Sequence, residues 1–143
     1  MTDTAAEAVI AALDLAPHPE GGHFREVYRH APPDGGRGDC TSIYYLLRAG
    51  ERSAWHRVRD AVEIWQFHAG DPLTLMVSED GKSVATHLLG ADLAAGARPQ
   101  AVVPAGAWQS AKPRGDWTLV GCTVAPAFSF EAFEMAPDRW RPG

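Results

Sequence analysis

Residues 50–70, GERSAWHRVRDAVEIWQFHAG, decide the fold. They read as a polar turn, a short strand carrying His56, a second turn at Arg59-Asp60 and a strand opening at Glu63. The second strand alternates until Gly70-Asp71-Pro72 stops it. Glycine and Asp-Pro are turn residues, and the segments between them have the short span and aromatic content of strands. Alternate side chains on a strand share a face, so this hairpin can aim His56 and Glu63 at one space. A histidine and a carboxylate facing one cavity form either half of a metal site or an acid–base pair.

The spacing is also specific. Gly50, five residues, His56, one residue, Val58, four residues, Glu63, six residues and Gly70 resembles the first motif of the cupin superfamily, G-x5-H-x-H-x3,4-E-x6-G, with Val58 in place of one histidine. The middle of the second cupin motif, G-x5-P-x-G-x2-H-x3-N, resembles Pro104-Ala105-Gly106-Ala107-Trp108-Gln109, with Gln109 standing for the histidine and Pro113 for the asparagine. Reading outward, HPEGGHFRE at 18–26, TSIYYLL at 41–47, WHRV at 55–58, HAGDPL at 68–73 and VGCTVAP at 120–126 are together similar to one subfamily, the Cupin_5 or DUF985 group of RmlC-like cupins. The likeness covers roughly residues 8–135, with the blocks in the family's order. It implies an all-β cupin double-stranded β-helix, a jelly-roll barrel with one short N-terminal helix, as a single domain over residues 1–143. It also implies a homodimer, and it places Glu20 and Arg25 in a shared block that walls the barrel mouth. Function follows only loosely, because one fold hosts many activities.

The remaining sequence is read on its own terms. A chain of 143 residues makes one core and no second domain. No run has the length of a membrane helix, and residues 1–15 lack the basic start and apolar centre of a signal peptide. Cys40 and Cys122 make neither metal spacing nor a disulfide framework, so a cytoplasmic protein with reduced thiols is expected. A net charge of −5 argues against nucleic acid as a partner. Arg48, Arg52, Arg57 and Arg59 are interrupted by Glu51, Asp60 and Glu63, which suits a solvated loop better than an anion site.

Thr4 and Glu7 have capping-box spacing, and Val9, Ile10 and Leu13 share a helical face, predicting a helix over 4–13. Strands are expected at 24–29, 41–47, 73–77, 83–89, 100–103, 108–111, 117–124 and 128–133, besides the two of the hairpin. Both faces of 41–47 carry apolar residues, so alternation leaves open whether Tyr44 or Tyr45 points inward. Residues 136–143 read as a loose tail pinned by Trp140.

The site expectations follow. Val58 cannot coordinate a metal and Gln109 offers only a neutral amide, so a divalent ion should bind weakly or not at all. The expected catalytic pair is His56 and Glu63. Glu20, Arg25, Tyr44, Trp65, Trp108 and Gln109 are expected to position a small carbohydrate-like or anionic ligand. Two functions stand side by side: an isomerase or epimerase that removes a proton next to a carbonyl, and a non-catalytic binding module. A metal-dependent cupin enzyme comes third.

Overall fold

The computed structural model describes residues 3–143. Helix α1, Asp3–Leu13, opens the chain, and the Thr4 hydroxyl of the expected capping box lies outside the described side chains. Eleven strands follow: β1 Ala16–Pro17, β2 His23–Arg29, β3 Thr41–Arg48, β4 Ser53–Val58, β5 Val62–Gly70, β6 Leu73–Ser78, β7 Ala85–Leu89, β8 Gln100–Val103, β9 Trp108–Pro113, β10 Trp117–Ala125 and β11 Phe133–Met135. They form a six-stranded sheet, β1-β2-β3-β10-β5-β8, packed on a five-stranded one, β11-β4-β9-β6-β7. The paired strands are antiparallel throughout, giving the double-stranded β-helix of a cupin. No helix among the described residues is long and apolar enough to cross a membrane.

Alternation along each strand builds the barrel interior. Tyr45 and Leu47 of β3, Trp65 of β5, Leu73, Leu75 and Val77 of β6, and Val120 and Cys122 of β10 are buried in one cluster. Full burial of a leucine such as Leu73 or Leu75 contributes about 2 kcal/mol. The opposite face of β3 answers the question that alternation leaves open. Tyr44 and Leu46 point outward, under α1, where Val9, Ile10 and Leu13 cover them.

Two expectations about the chain's course need correction. Residues 128–132 are not a strand, although their alternating phenylalanines look like one. Their backbone bonds instead to side chains and within a turn: the Phe128 amide donates to Thr41 Oγ1 (3.0 Å), Arg29 Nη1 donates to the Phe128 carbonyl (3.0 Å), and the Ala132 amide donates to the Ser129 carbonyl (3.1 Å). Strand pairing resumes only at β11. Secondly, β1 adds a two-residue strand where only a helix stop was expected, and it covers β2 at His23 and Phe24 alone.

The turn between β1 and β2 is shaped by Gly21 and Gly22, with φ of +113° and +78°. A Cβ at Gly21 would overlap the Arg52 carbonyl oxygen, so glycine is what lets this loop close on the start of β4. The Ala54 amide donates to the Glu20 carbonyl (2.9 Å) and ties the two segments together. This close approach carries the Glu20 side chain into the barrel.

Candidate functional site

Three ionisable side chains from separate elements converge at the floor of one cavity. His56 comes from β4, Glu63 from β5 and Glu20 from the loop before β2, and they are 2 %, 7 % and 9 % exposed. The cavity has a volume of about 450 Å³. Phe24, Ile43, Val58, Val124, Phe128 and Phe133 form much of its wall, and exposed Arg25, Glu26, Arg29 and Phe130 stand at its rim.

The floor is hydrogen-bonded in a fixed order. Trp65 Nε1 donates to Gln109 Oε1 (2.8 Å), which leaves the Gln109 amide to donate to Glu63 Oε1 (2.9 Å). Gln109 lies opposite His56 in the β4–β9 pairing. His56 Nδ1 is 2.7 Å from the Ala54 carbonyl, and a carbonyl only accepts, so Nδ1 carries the proton and Nε2 keeps its lone pair. Glu20 Oε2 lies 3.5 Å from the same Nδ1 and accepts from the Ser53 and Tyr45 hydroxyls. Behind it, the Glu20 amide donates to His18 Nδ1 (3.0 Å), and His18 Nε2 is 3.5 Å from Glu20 Oε1.

Burial sets the protonation of this cluster, because removing water penalises whichever form is charged. It pushes the Glu20 carboxyl up to about 8, against the Tyr45 hydrogen bond. It pushes Glu63 up to about 7, against the pull of His56. The His56 imidazole is held below its ordinary value by burial, against the pull of Glu63, and His18 falls to about 4 for the same first cause. Near neutral pH the floor therefore holds a protonated Glu20, a neutral His56 and a Glu63 divided between its two forms.

The positions of the expected site residues divide into three groups. Glu20, Arg25, His56 and Glu63 line the cavity. Trp65 and Gln109 stand immediately behind Glu63 and hold it. Tyr44 and Trp108 are elsewhere. Tyr44 is on the outer face of its sheet, its ring 6.1 Å from His68. Trp108 points out of the other sheet, 4.7 Å from the Trp140 ring, with the Arg57 guanidinium 4.5 Å from its centroid. Adjacent residues on a strand face opposite ways, so Trp108 cannot follow Gln109 inward. The arginine-rich turn is also spent on ion pairs: Arg48 with Glu51, and Arg57 and Arg59 with Glu134.

Sequence reading did not find Phe24, Phe128, Phe133, His18 or Cys122 as cavity residues. His18 had a signal, since it sits beside Glu20 in the same shared block. The phenylalanines had one too, in the alternation at 128–133, but that pattern imitates a strand.

The donors do not fit a three-histidine, one-glutamate metal centre. Val58 lines the cavity where an imidazole is needed, and both polar atoms of the Gln109 amide are engaged by Trp65 and Glu63. Among the described residues, no group of three or more His, Cys, Asp or Glu side chains is arranged to hold a metal ion.

The model of the Cupin_5 family, Cupin superfamily (DUF985), matches residues 7–136. The chain belongs to this family. A solved structure from Shewanella oneidensis is 44% identical to this Cupin_5 chain, with a TM-score of 0.86 over 92% of this chain and 84% of that one. A hypothetical protein from Leishmania major is 32% identical, with a TM-score of 0.83 over 94% of this chain and 89% of that one. Oxalate decarboxylase of B. subtilis shares the fold alone, at 14% identity and a TM-score of 0.64 over 87% of this chain and 31% of that one. No curated protein matches the chain.

Proposed function

We propose that this Cupin_5 chain is an enzyme of isomerase or epimerase type acting on a small carbonyl compound. The observation that carries the reading is the convergence of Glu20, His56 and Glu63 on one desolvated floor, with carboxyl values of about 8 and about 7 that suit proton exchange near neutrality. In this reading ionised Glu63 takes a proton from the carbon next to the carbonyl. The C–H electron pair forms the C=C bond of an enol as the carbonyl oxygen takes the proton of Glu20. Glu63 then returns a proton to carbon while Glu20 recovers its own from the oxygen, and no oxidant or reductant is consumed. His56 Nε2, with its lone pair, accepts from the hydroxyl of the enol once it has formed and holds it in place. No metal takes part.

A binding module without turnover is the second reading. It is favoured by the engagement of Glu63 Oε1 with Gln109 and of His56 Nδ1 with Ala54, since such bonds also suit a static pocket.

Solvent-deuterium incorporation separates the two. Chelator-dialysed protein, Glu63→Gln and His56→Ala are incubated in heavy water with a set of small carbonyl compounds, and loss of the C–H signal is followed by NMR. Parent protein is expected to exchange at least one member, with the rate falling roughly 100-fold in Glu63→Gln. His56→Ala is expected to lose binding while remaining folded. Binding without exchange in the parent would select the module, and exchange undiminished in both variants would remove the pair from the mechanism.

The homodimer belongs to the same proposal. Among the described residues the outer edge of β2 has no partner strand beyond Phe24, and Val27 and Tyr28 are 52 % and 54 % exposed there. An unpaired strand edge is a template on which a second chain can pair. Light scattering coupled to size exclusion should give twice 15.4 kDa, and a mass of one chain at micromolar concentration would contradict it.

A further inference from the structure

We infer that the substrate of this cavity is a neutral aryl or similarly ring-bearing carbonyl compound, not a sugar and not an anionic metabolite. The inference rests on the reading of the floor as an acid–base site, and it replaces the carbohydrate-like or anionic ligand expected from sequence. Three features of the lining carry it.

The first is where polarity lies. Glu20, His56 and Glu63 are at the floor, while Phe24, Ile43, Val58, Val124, Phe128 and Phe133 wall the body of the cavity. Thr41 is the hydroxyl residue in that lining, and its Oγ1 already accepts from the Phe128 amide. A sugar buried here would leave several hydroxyls without partners, at about 1–3 kcal/mol each.

The second is charge. A carboxylate or phosphate at the floor would meet two buried carboxyls. At the rim, Arg29 is held by both oxygens of Glu26 (2.9 Å each) and by the Phe128 carbonyl. Arg25 donates to the Leu13 carbonyl (3.4 Å), and Asp14 shares the rim with it. Two cations and two acids therefore stand together at the mouth, so an anion gains little there.

The third is aromatic geometry. Phe128, Phe130 and Phe133 form an edge-to-face cluster with centroids 4.9, 5.5 and 6.1 Å apart, and His56 lies 5.5 Å from Phe133. A planar ring extends such a cluster on its own geometry. Its carbonyl end then reaches the floor, where Glu20 donates and Glu63 accepts.

The test uses three probes on the intact protein by ligand-observed NMR and calorimetry: benzylacetone, a neutral aryl ketone; phenylpyruvate, an aryl oxo acid; and glucose. Benzylacetone is expected to bind at least about tenfold more tightly than either of the others. Phe130→Ala is expected to weaken it several-fold, and because Phe130 is 71 % exposed that variant keeps its fold. Phenylpyruvate or glucose binding as tightly as benzylacetone, or no binding of benzylacetone, would overturn the inference. Deuterium exchange into whichever probe binds reports separately on the acid–base reading. Exchange into phenylpyruvate that depends on Glu63 would sink the substrate class and leave the mechanism standing. Benzylacetone bound without exchange would do the reverse.

Discussion

Gly21→Ala is expected to lower the melting temperature by roughly 10 °C and to withdraw Glu20 from the cavity. The backbone at Gly21 has φ of +113°, a conformation that costs an L-residue roughly 1–3 kcal/mol. The new Cβ would also overlap the Arg52 carbonyl oxygen, a backbone atom that cannot swing aside. Relief requires the 18–22 turn to move off β4, which breaks the Ala54–Glu20 backbone bond and the Tyr45 hydroxyl's bond to the Gly21 carbonyl. Together these terms come to roughly 3 kcal/mol, among the larger single-residue effects. Scanning calorimetry measures the loss, and a melting point within about 2 °C of the parent would show that the turn is not under this constraint.

Stability is expected to fall as pH rises from 6.5 to about 8. Glu20 and Glu63 have ordinary values of 4.5 and folded values of about 8 and about 7. Below 4.5 both folded and unfolded chains hold these protons, and the stabilisation is complete. Above it the unfolded chain releases protons that the folded chain keeps, so stability drains away until the folded carboxyls also ionise. The buried histidines act in the opposite sense. His18, with a folded value of about 4, and His56, also lowered, are neutral in the folded chain while the unfolded chain takes up protons below 6.5. Their effect raises stability with pH up to 6.5 and offsets the carboxyls there. Beyond that point the carboxyls act alone, and the loss is on the order of 2 kcal/mol. Glu20→Gln should flatten the part of the fall above pH 7, leaving the Glu63 part. Melting curves across this range that stay level in the parent would contradict the protonation proposed for the floor.

Local signals carried the fold. The turn residues around 50–70 bound two strands whose parity places Glu63 and Trp65 on one inner face, and β4 and β5 run where those signals put them. The family blocks supplied the rest of the barrel. What escaped the sequence depended on partners far along the chain. The family block named Glu20 as a site residue, but its place on the floor beside His56 depends on Gly21 fitting against Arg52, a contact that spacing does not express. Tyr44 and Tyr45 could not be told apart, because both faces of β3 pack on apolar residues, one under α1 and the other in the barrel. Trp108 was a legible case that was misread, since a neighbour of Gln109 on a strand has to face away from it. The phenylalanines at 128 and 130 alternate in sequence without any strand, because the Phe128 backbone bonds to the Thr41 and Arg29 side chains and the Phe130 carbonyl accepts from the Phe133 amide in a turn.

Carbon-detected NMR of protein labelled at the glutamate carboxyls, titrated from pH 4.5 to beyond 8, shows whether Glu20, Glu63 and a neutral His56 form one acid–base floor. Two resonances are expected with midpoints at about 8 and about 7, assigned through Glu20→Gln and Glu63→Gln. Titration of every glutamate near the ordinary value of 4.5 would contradict the account.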